Sequence, residues 1–435
     1  MQETDVIWKK HYCRLSSDVI IDQDEEPETS KLKVSVEPWI AALLQSDHLS
    51  LLLGSGFSTA ISYLAGVPPA GMAGSYPDSI PLKGNLEKAA NESAIRMKRG
   101  TANIEDRIRT ATLVLQGLEI TDSEEKHTSD LKESLNKMLS DFYTSLITME
   151  NRVLNASDEK REQALEKLLS FLLSFSHRPL SRERLHLFTT NYDRFIEYGA
   201  DLAGLHLLDR FVGSLEPIFR SSRLEVDMHY NPPGIRGEPR YLEGVVRLTK
   251  LHGSLDWRSR SDGTVYKVGI PFGTDNLGSH QLPADPLSHL IIYPNSLKDR
   301  ETAEYPYVDL HRDYAASLCR PNTVLVTYGY GFGDDHINRV IRDMLTIPST
   351  HLLIISFGDE DGRISEFSKA AYRPSQISLM IGPHFGYLAT LVENYLPQPS
   401  SEIIKGRVAE IQKKRPTAAS DVSHDVDTTS SPPLQ

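Results

Sequence analysis

Six apolar runs of strand length alternate with helical stretches between residues 185 and 382. They are LHLFTTNYD (185–193), VVRLTKLHGS (245–254), HLIIYP (289–294), NTVLVTYGYG (322–331), HLLIISFG (351–358) and ISLMIG (377–382). A seventh run, HLSLLLGSGFS (48–58), follows a short helical pattern at 36–45. Runs rich in Val, Ile, Leu and Thr that are separated by helices, as at 335–345 and 384–396, are typical of parallel sheets covered on both faces. The sequence predicts an α/β fold with a doubly wound, mostly parallel, Rossmann-like sheet.

A block of helix formers interrupts this pattern at residues 84–177. Its i, i+3, i+4 apolar spacing is clearest at 131–156 and 159–175, and both segments are long enough for packed helices with solvated charged faces. We therefore predict that 84–177 is a helical insertion forming a second subdomain, and that residues 35–83 and 178–400 make up the Rossmann-like domain.

The two ends of the chain differ from its middle in composition. Residues 1–34 are polar, with an acidic run at 22–30, and predict an N-terminal arm with little hydrophobic core. Residues 413–435 have almost no large apolar side chains and predict a disordered tail.

Composition argues against several classes of protein. No apolar run approaches the ~20 residues of a membrane-spanning helix, and the N-terminus lacks the apolar core of a secretory signal. We therefore expect a cytoplasmic protein without membrane contact. The two cysteines, Cys13 and Cys319, are too few for a disulfide framework and have no CxxC spacing for zinc, so no metal site is predicted. The formal net charge of −12 argues against direct non-specific binding of nucleic acid.

Two of the apolar runs end in short polar stretches. GSGFS (54–58) has the form of a glycine turn that leads into a helix and offers N–H groups to a phosphate. Two glycines one residue apart fit a tight structural turn at least as well. TTNYD (189–193) follows a predicted strand, so that its side chains would face the same crevice. Asp193 also fits an ordinary cap for the next helix.

Two further stretches have the same placement. In KLHGS (250–254), His252 stands at a strand end beside a glycine, which suits proton transfer near neutral pH, although a lone histidine is more often structural. In VTYGYGFGDDHIN (326–338), three alternating glycines suggest backbone that wraps a planar or sugar group. Asp334, which follows them, would by itself be interpreted as an N-cap.

In this order the four stretches resemble the sirtuin superfamily, specifically its bacterial sirtuin-like branch found in antiphage defence, over roughly Leu49 to Ile341. GSGFS is similar to the sirtuin phosphate loop Gly-Ala-Gly-Ile-Ser, TTNYD to Thr-Gln-Asn-Ile-Asp, and KLHGS to the His-Gly motif. GYGFGDDHIN is similar to the glycine-rich adenosine segment of the defence branch. The resemblance implies an NAD site.

The resemblance also implies roles for individual residues. Asn191 would contact the nicotinamide ribose and position water, Asp193 would bind the nicotinamide carboxamide, and His252 would act as the base on the ribose hydroxyls. The pyrophosphate and the nearby ribose would be held by Gly54, Ser55, Gly56 and Ser58. The adenosine end would be lined by Gly329, Gly331, Phe332 and Asp334.

The sequence departs from the zinc-bearing sirtuin deacetylases at three points. It lacks their four zinc-ligating cysteines, so we expect NAD as substrate and no zinc. The helical block lies between the first two motifs, which puts the peptide-binding machinery in doubt. Thr190 replaces the usual glutamine of the ribose motif, which weakens the case for ordinary deacylation.

These features predict an NAD+ glycohydrolase. Nicotinamide is a cationic leaving group whose departure leaves an oxocarbenium-like ribose, so the protein has to bind both ends of NAD+ and admit one nucleophile. With water held by Asn191, the products are ADP-ribose and nicotinamide. The alternatives are an NAD-dependent protein deacylase and a non-catalytic nucleotide-binding scaffold. DNA cleavage within an ATPase assembly has no metal-ligand cluster to support it.

The resemblance also implies a biological setting. Short defence sirtuins of this layout resemble those encoded with HerA-type hexameric DNA-translocating ATPases. We therefore expect a defence effector that depletes NAD+ in abortive infection and is controlled by assembly, because no room for a separate sensing domain of ~100 residues is evident. The expected partners are further copies of the chain and a HerA-type ATPase, with nucleic acid contacted only through that ATPase.

Overall fold

The computed structural model describes residues 8–71, 74–96, 100–121, 125–179, 181–223, 226–230, 240–274, 286–292 and 305–397. Its strands are β1 (His11–Leu15), β2 (Asp18–Gln23), β3 (His48–Leu53), β4 (His186–Thr189), β5 (His206–Leu208), β6 (Phe211–Val212), β7 (Ile218–Phe219), β8 (His229–Tyr230), β9 (Arg240–Tyr241), β10 (Val245–Lys250), β11 (Gly253–Ser259), β12 (Val265–Lys267), β13 (Leu290–Ile292), β14 (Thr323–Tyr328), β15 (His351–Ser356) and β16 (Ile377–Ile381).

Most helices alternate with strands along the chain, but four consecutive helices without a described strand between them occupy residues 83–176. The helices are α1 (Thr29–Leu44), α2 (Ser55–Leu64), α3 (Lys83–Arg96), α4 (Ile104–Thr121), α5 (Glu125–Leu154), α6 (Asp158–Ser176), α7 (Phe195–Ala203), α8 (Pro286–His289), α9 (Tyr307–Leu318), α10 (Asp335–Met344), α11 (Arg363–Lys369), α12 (Pro383–Gly386) and α13 (Leu388–Asn394).

A nine-stranded sheet in the order β2-β1-β16-β15-β14-β3-β4-β10-β5 forms the centre of the molecule. Every neighbouring pair from β16 to β5 is parallel, and only β1 and β2 run antiparallel. The sheet is buried on both faces, because Leu51 and Leu53 of β3 enter one hydrophobic cluster and Leu52 enters the other. The predicted α/β fold with a mostly parallel Rossmann-like sheet is confirmed.

The topology reverses direction between β3 and β14. From β3 the chain continues to β4 on one side, whereas β14 continues to β15 on the other, yet β3 and β14 are hydrogen-bonded neighbours. Ligands of open α/β sheets bind at such a switch point, outside the carboxyl ends of the strands. The stretches that follow Leu53 and Tyr328 therefore lie where a ligand crevice is expected.

The predicted helical block is present as helices α3 to α6. Side chains of α5 and α6, among them Phe142, Leu168 and Phe171, belong to the same hydrophobic cluster as β3. Helix α6 packs against α2 and α7, which places this part of the block directly on the sheet domain. The division of the chain into a Rossmann-like domain and an insertion subdomain stays a prediction.

The N-terminal segment differs from the prediction of an arm with little core. Strand β1 pairs antiparallel with β16, β2 pairs antiparallel with β1, and Tyr12, Cys13 and Leu15 are buried. The sequence contains little sign of these strands, because HYCRL is short and contains one strong strand former, Tyr12, and an acidic run follows it. The predicted disordered tail at 413–435 lies outside the described residues.

A second, antiparallel sheet in the order β13-β11-β12-β7-β6 was not predicted. The run HLIIYP, expected in the parallel sheet, instead contributes β13 to this sheet, and its last two residues lie outside the described part of the chain. These strands contain two to seven residues, too few for a periodicity of their own. Over the helices that the structure describes, none is long and apolar enough to cross a membrane.

Candidate active site

The turns that follow β3 and β14 are in direct backbone contact. A Cβ atom on Gly54 would lie 2.4 Å from the carbonyl oxygen of Gly329, and one on Gly56 would lie 2.6 Å from Gly329 Cα. The Gly56 N–H donates to the Gly329 carbonyl at 3.0 Å, and Gly329 has a φ of 61°, which favours glycine. The contact between the two turns therefore requires these three glycines. This agrees with the interpretation of the GSG stretch as a tight structural turn.

Helix α2 begins at Ser55, immediately after this contact. Gly54, Ser55 and Ser58 line a cavity of about 490 Å³ at the carboxyl ends of β3, β4 and β14. The first N–H groups of a helix and its dipole favour an anion at this end. The N–H groups of Gly56 and Phe57 in this first turn already donate to the carbonyls of Gly329 and Gly54, both at 3.0 Å. The predicted binding of phosphate by Gly54, Ser55 and Ser58 stays a prediction.

Asn191 is held in the cavity wall by two hydrogen bonds. Its Nδ2 donates to the Gly54 carbonyl at 2.9 Å and to Ser58 Oγ at 2.8 Å. Because a carbonyl oxygen can only accept, the amide nitrogen has to face Gly54, which leaves Oδ1 as the remaining acceptor. No donor among the described residues is hydrogen-bonded to Oδ1. This oxygen is the atom through which Asn191 can bind water or a ribose hydroxyl.

Ser58 connects Asn191 to Asp193. Its hydroxyl accepts from Asn191 and donates to Asp193 Oδ2 at 2.6 Å, and the three side chains are each at most 6% exposed. Asp193 Oδ1 accepts from the Phe195 N–H at 3.3 Å, but the N-cap residue of α7 is Arg194, whose side chain forms no capping hydrogen bond, so Asp193 is not the cap of this helix. A carboxylate oxygen can accept two hydrogen bonds, and the predicted contact of Asp193 with a carboxamide stays a prediction.

The charge of Asp193 is affected by its burial. Burial raises the pKa of Asp193, while the charge of Lys250 and the hydrogen bond from Ser58 act in the opposite direction. Lys250 is 2% exposed, and its Nζ donates to the Asp193 carbonyl at 2.6 Å and to Glu197 at 3.0 Å. The KLHGS stretch thus fixes the backbone of TTNYD through its lysine, a role that the sequence analysis missed.

His252 lies in the same cavity, at the end of β10. It is 9% exposed, and its ring centroid lies 6.3 Å from that of Tyr192 and 5.7 Å from that of His336. The two predicted catalytic residues, Asn191 and His252, therefore line one cavity.

Most of the predicted ligand-binding residues also line this cavity. They are Gly54, Ser55, Ser58, Asp193, Gly331 and Asp334. Gly56, Gly329 and Phe332 lie behind the wall: the two glycines form the backbone contact, and Phe332 is packed in the core beside Phe367. For these three residues the predicted contacts with NAD+ stay predictions.

The helical block supplies a further part of the cavity wall. Asn103, Glu105, Leu146 and Met149 line it, together with the segment 69–71. Glu105 accepts a hydrogen bond from the Tyr192 hydroxyl at 2.9 Å, and burial together with the Glu105 charge raises the pKa of Tyr192 well above its ordinary value. No residue of the block was singled out by the sequence analysis, because these side chains have no motif of their own. The predicted solvation of the charged residues in 131–156 is wrong for Glu150, which is fully buried.

A buried ion pair connects the block to the residue after Asp193. Glu150 of α5 is fully buried, and its carboxylate pairs with Arg194 at 2.5 Å and accepts from the Arg194 N–H at 2.9 Å. Burial raises the pKa of Glu150 against the opposing charge of Arg194. This pair fixes the position of TTNYD against the insertion.

The β14 side of the cavity is built from backbone groups. Asn338 donates from Nδ2 to the Phe332 carbonyl at 2.9 Å and accepts at Oδ1 from the Tyr330 hydroxyl at 3.0 Å, which fixes the glycine turn. Arg363 Nε donates to the Gly331 carbonyl at 2.6 Å. Asp334 is at the N-cap position of α10, where no side-chain capping bond is formed.

Among the described residues, no group of three or more His, Cys, Asp or Glu side chains is arranged to hold a metal ion. Cys13 is a buried free thiol whose pKa is raised to about 12 by burial, and Cys319 is free and exposed.

Comparison with known families identifies a SIR2-like domain at residues 185–374. The match covers TTNYD, KLHGS and the glycine turn after β14, whereas GSGFS lies before it. It supports a sirtuin-like family and an NAD-related activity of the kind found in the sirtuin superfamily. A search of curated proteins finds no match.

Proposed function

We propose that this protein is an NAD+ glycohydrolase that converts NAD+ to ADP-ribose and nicotinamide. The observation that carries the proposal is the hydrogen-bonded chain Asn191–Ser58–Asp193, which lines one cavity together with His252 at the switch point of the sheet. The volume of about 490 Å³ falls within the range of roughly 300–1,000 Å³ typical of ligand pockets.

The charge and polarity of the cavity are suited to this reaction. The first turn of α2 favours the pyrophosphate, and the carboxylate of Glu105, which lines the same cavity, favours the positive charge that develops on the ribose. As nicotinamide leaves, the bond between the ribose C1′ and the pyridine nitrogen breaks and its electron pair goes to the ring. Water held at Asn191 Oδ1 attacks C1′ and loses a proton, for which His252 supplies an imidazole in the same cavity.

The helical insertion favours water as the nucleophile. Asn103, Glu105, Leu146 and Met149 line the cavity together with Asn191, and the Tyr192 hydroxyl donates to Glu105, so the helical block takes up space directly beside the TTNYD motif. A deacylase has to admit an acyl-lysine there. Hydrolysis requires only a water molecule in the same place.

The test measures nicotinamide release and ADP-ribose formation by the wild type, Asn191→Ala and His252→Ala. We expect each variant to lose about 100-fold or more in kcat, the usual effect of removing a group that acts only in the transition state. Asn394→Ala and His206→Ala are matched controls, because these side chains lie on a surface helix and an exposed strand, away from the cavity.

Three outcomes separate the alternatives. Nicotinamide release that requires an acetylated peptide would identify a deacylase. Binding of NAD+ without any release, alone or with partners, would identify a nucleotide-binding scaffold. Release by the wild type without peptide, lost in both cavity variants and kept in both controls, supports the glycohydrolase.

The resemblance to defence sirtuins extends the proposal to its biological setting. We propose that the chain forms a hetero-oligomer with a HerA-type ATPase and depletes NAD+ during phage infection. Size-exclusion chromatography of the chain alone and with a candidate ATPase tests the assembly. A chain that stays monomeric, and whose elution volume and NAD+ turnover are unchanged by the ATPase, would contradict the proposed assembly.

A further inference from the structure

An open groove adjoins the cavity at the glycine turn after β14. It has a volume of about 560 Å³ and is lined by side chains of α10 and α11 and by Arg96 at the end of α3. Arg363 lines both the cavity and the groove, and Phe332 of the glycine turn lines the groove. The groove therefore begins where the β14 side of the cavity ends.

Arg363 lies between the two spaces, and its charge is already engaged. It is 3.5 Å from Glu360 and 3.7 Å from Asp361, and its Nε donates to the Gly331 carbonyl at 2.6 Å. Glu360 itself lines the cavity. Arg363 therefore contributes little free positive charge to either space.

Three further cations line the groove, namely Arg96, Arg342 and Lys369. Their side chains are exposed, and they come from three different helices. Within the described part of the chain, none of the three is ion-paired with a carboxylate, and Arg342 lies over the Phe367 ring at 5.3 Å from its centroid. Their charges are therefore available to a ligand.

The groove has an excess of positive charge. Two carboxylates, Asp335 and Glu366, line it together with the four cations. A different cavity of about 320 Å³, beside β5 and β10, has the opposite arrangement, because each of its cations is paired, as Arg210 is with Asp313 at 2.6 Å. Unpaired cations attract anions more strongly than paired ones, so the groove is suited to a ligand with several negative charges. This excess is local, on a chain whose formal net charge is −12.

The position of the groove indicates which anion it would bind. In the proposed function the adenosine of NAD+ lies against the glycine turn, so the groove is the space next to the adenosine end. Free NAD+ has no phosphate beyond this ribose, and an acidic peptide would have no link to the substrate. A chain of phosphates joined to the adenosine through its 3′-oxygen fits both the position and the charge of the groove.

We propose that the groove binds the first phosphates of an RNA chain whose 5′ end is NAD+, and that the protein releases nicotinamide from such capped RNA. The reaction is the one proposed for free NAD+: the bond between C1′ and the pyridine nitrogen breaks, the water oxygen bonds to C1′, and one proton is released. The RNA keeps ADP-ribose at its 5′ end. The inference rests on the proposed function, because it requires NAD+ in the cavity with its adenosine at the glycine turn.

The test compares free NAD+ with a short single-stranded RNA capped with NAD+. Nicotinamide release by the full chain is measured by mass spectrometry at several salt concentrations for the wild type, Lys369→Ala and Arg342→Ala. Arg342→Ala also removes a contact with Phe367, whereas Lys369→Ala changes an exposed charge only. Lys88→Ala is the matched control, because Lys88 is an exposed cation of α3 that lines neither space.

We expect the wild type to have a kcat/KM for the capped RNA about tenfold or more above that for free NAD+ at low salt. This advantage should fall with salt, with a log–log slope of about −0.7 for each phosphate bound. Lys369→Ala and Arg342→Ala should each lower kcat/KM for the capped RNA by about threefold or more, reduce the slope, and leave kcat/KM for free NAD+ within about twofold of the wild type. Lys88→Ala should change neither substrate.

Three results overturn the inference. If the wild type uses capped RNA no better than free NAD+, or if the groove variants keep its preference, the groove does not bind RNA and the glycohydrolase is unaffected. If Lys88→Ala lowers the preference as much as Lys369→Ala, the effect comes from general surface charge rather than from the groove. Absence of nicotinamide release from either substrate rejects the inference and the proposed function together.

Discussion

The two sides of the cavity are built in different ways. On the β4 side, Asn191, Ser58 and Asp193 are buried side chains bonded to one another, and the adjoining Arg194 is fixed by Glu150. On the β14 side, backbone groups of the glycine turn at 329–333 lie beside the loop 359–363, in which Glu360 and Asp361 are partly exposed. A side-chain network that is fixed before the ligand binds is suited to bond cleavage, whereas backbone and surface charge are suited to recognition. The comparison predicts that substitutions on the β4 side change kcat and those on the β14 side change affinity.

The largest effect is expected from Glu150→Ala, which removes one partner of the buried pair on the β4 side. Breaking such a pair leaves the Arg194 charge buried without its carboxylate and costs about 3–5 kcal/mol in the free energy of unfolding. Urea denaturation measures this change. The control is Glu37→Gln, which removes an exposed i,i+4 pair with Lys33 and should cost about 0.5 kcal/mol or less. Similar losses for both variants would contradict the proposed anchoring role of Glu150.

Ser58→Ala should reduce kcat by about 100-fold, or about 2.7 kcal/mol, because Asn191 Nδ2 and Asp193 Oδ2 both lose a partner. KM should change by less than about threefold if the β4 side acts on catalysis. Steady-state nicotinamide release provides both constants.

Ser62 offers a control one turn further along α2. It is fully buried, and within the described part of the chain its hydroxyl has no hydrogen-bond partner. Ser62→Ala should leave kcat unchanged. Equal loss in the two variants would mean that the effect comes from packing of α2 rather than from the hydrogen-bonded chain.

The boundary between the two sides is tested by Gly54→Ala. The added methyl group would lie 2.4 Å from a backbone oxygen that cannot move aside, and overpacking of this kind costs about 1–3 kcal/mol. Gly331→Ala places its methyl group at 3.4 Å from the end of a flexible arginine and should be tolerated in folding. Thermal unfolding of both variants compares them, and an unaffected Gly54→Ala would show that the turns separate easily.

The sequence predicted more of the β4 side than of the cavity as a whole. Strand runs with Val, Ile and Leu located β3, β4, β10 and β14 within a few residues, and the topology of a doubly wound sheet then brought their polar ends together. Glu105, Glu150 and Glu360 were missed because each lies in an ordinary charged stretch and reaches the site only through tertiary packing. The antiparallel sheet was missed because its short strands are defined by their neighbours rather than by their own periodicity.

The pH dependence of Asp193 distinguishes the buried network from the exposed charges. Its unfolded pKa is near 3.8, and burial raises the folded value, so the folded state binds the proton more tightly. Stability therefore falls as pH rises from about 4 through the raised pKa, and is constant above it.

Asp193→Asn removes this titration. The free energy of unfolding of this variant should rise relative to that of the wild type as the pH increases from about 4 through the raised pKa of Asp193. Urea denaturation at each pH measures the difference. Activity should nevertheless fall by about tenfold or more, because a carboxamide at position 193 has one oxygen in place of the two that accept from the Ser58 hydroxyl and the Phe195 N–H, so one of these two donors loses its acceptor. The wild type should lose activity on acidification through the same raised pKa, since protonated Asp193 no longer fixes the direction of the Ser58 hydroxyl. If Asp193→Asn keeps wild-type activity and an unchanged pH profile, Asp193 does not orient the Ser58 hydroxyl for catalysis. The proposed difference between the β4 side and the β14 side would then be contradicted.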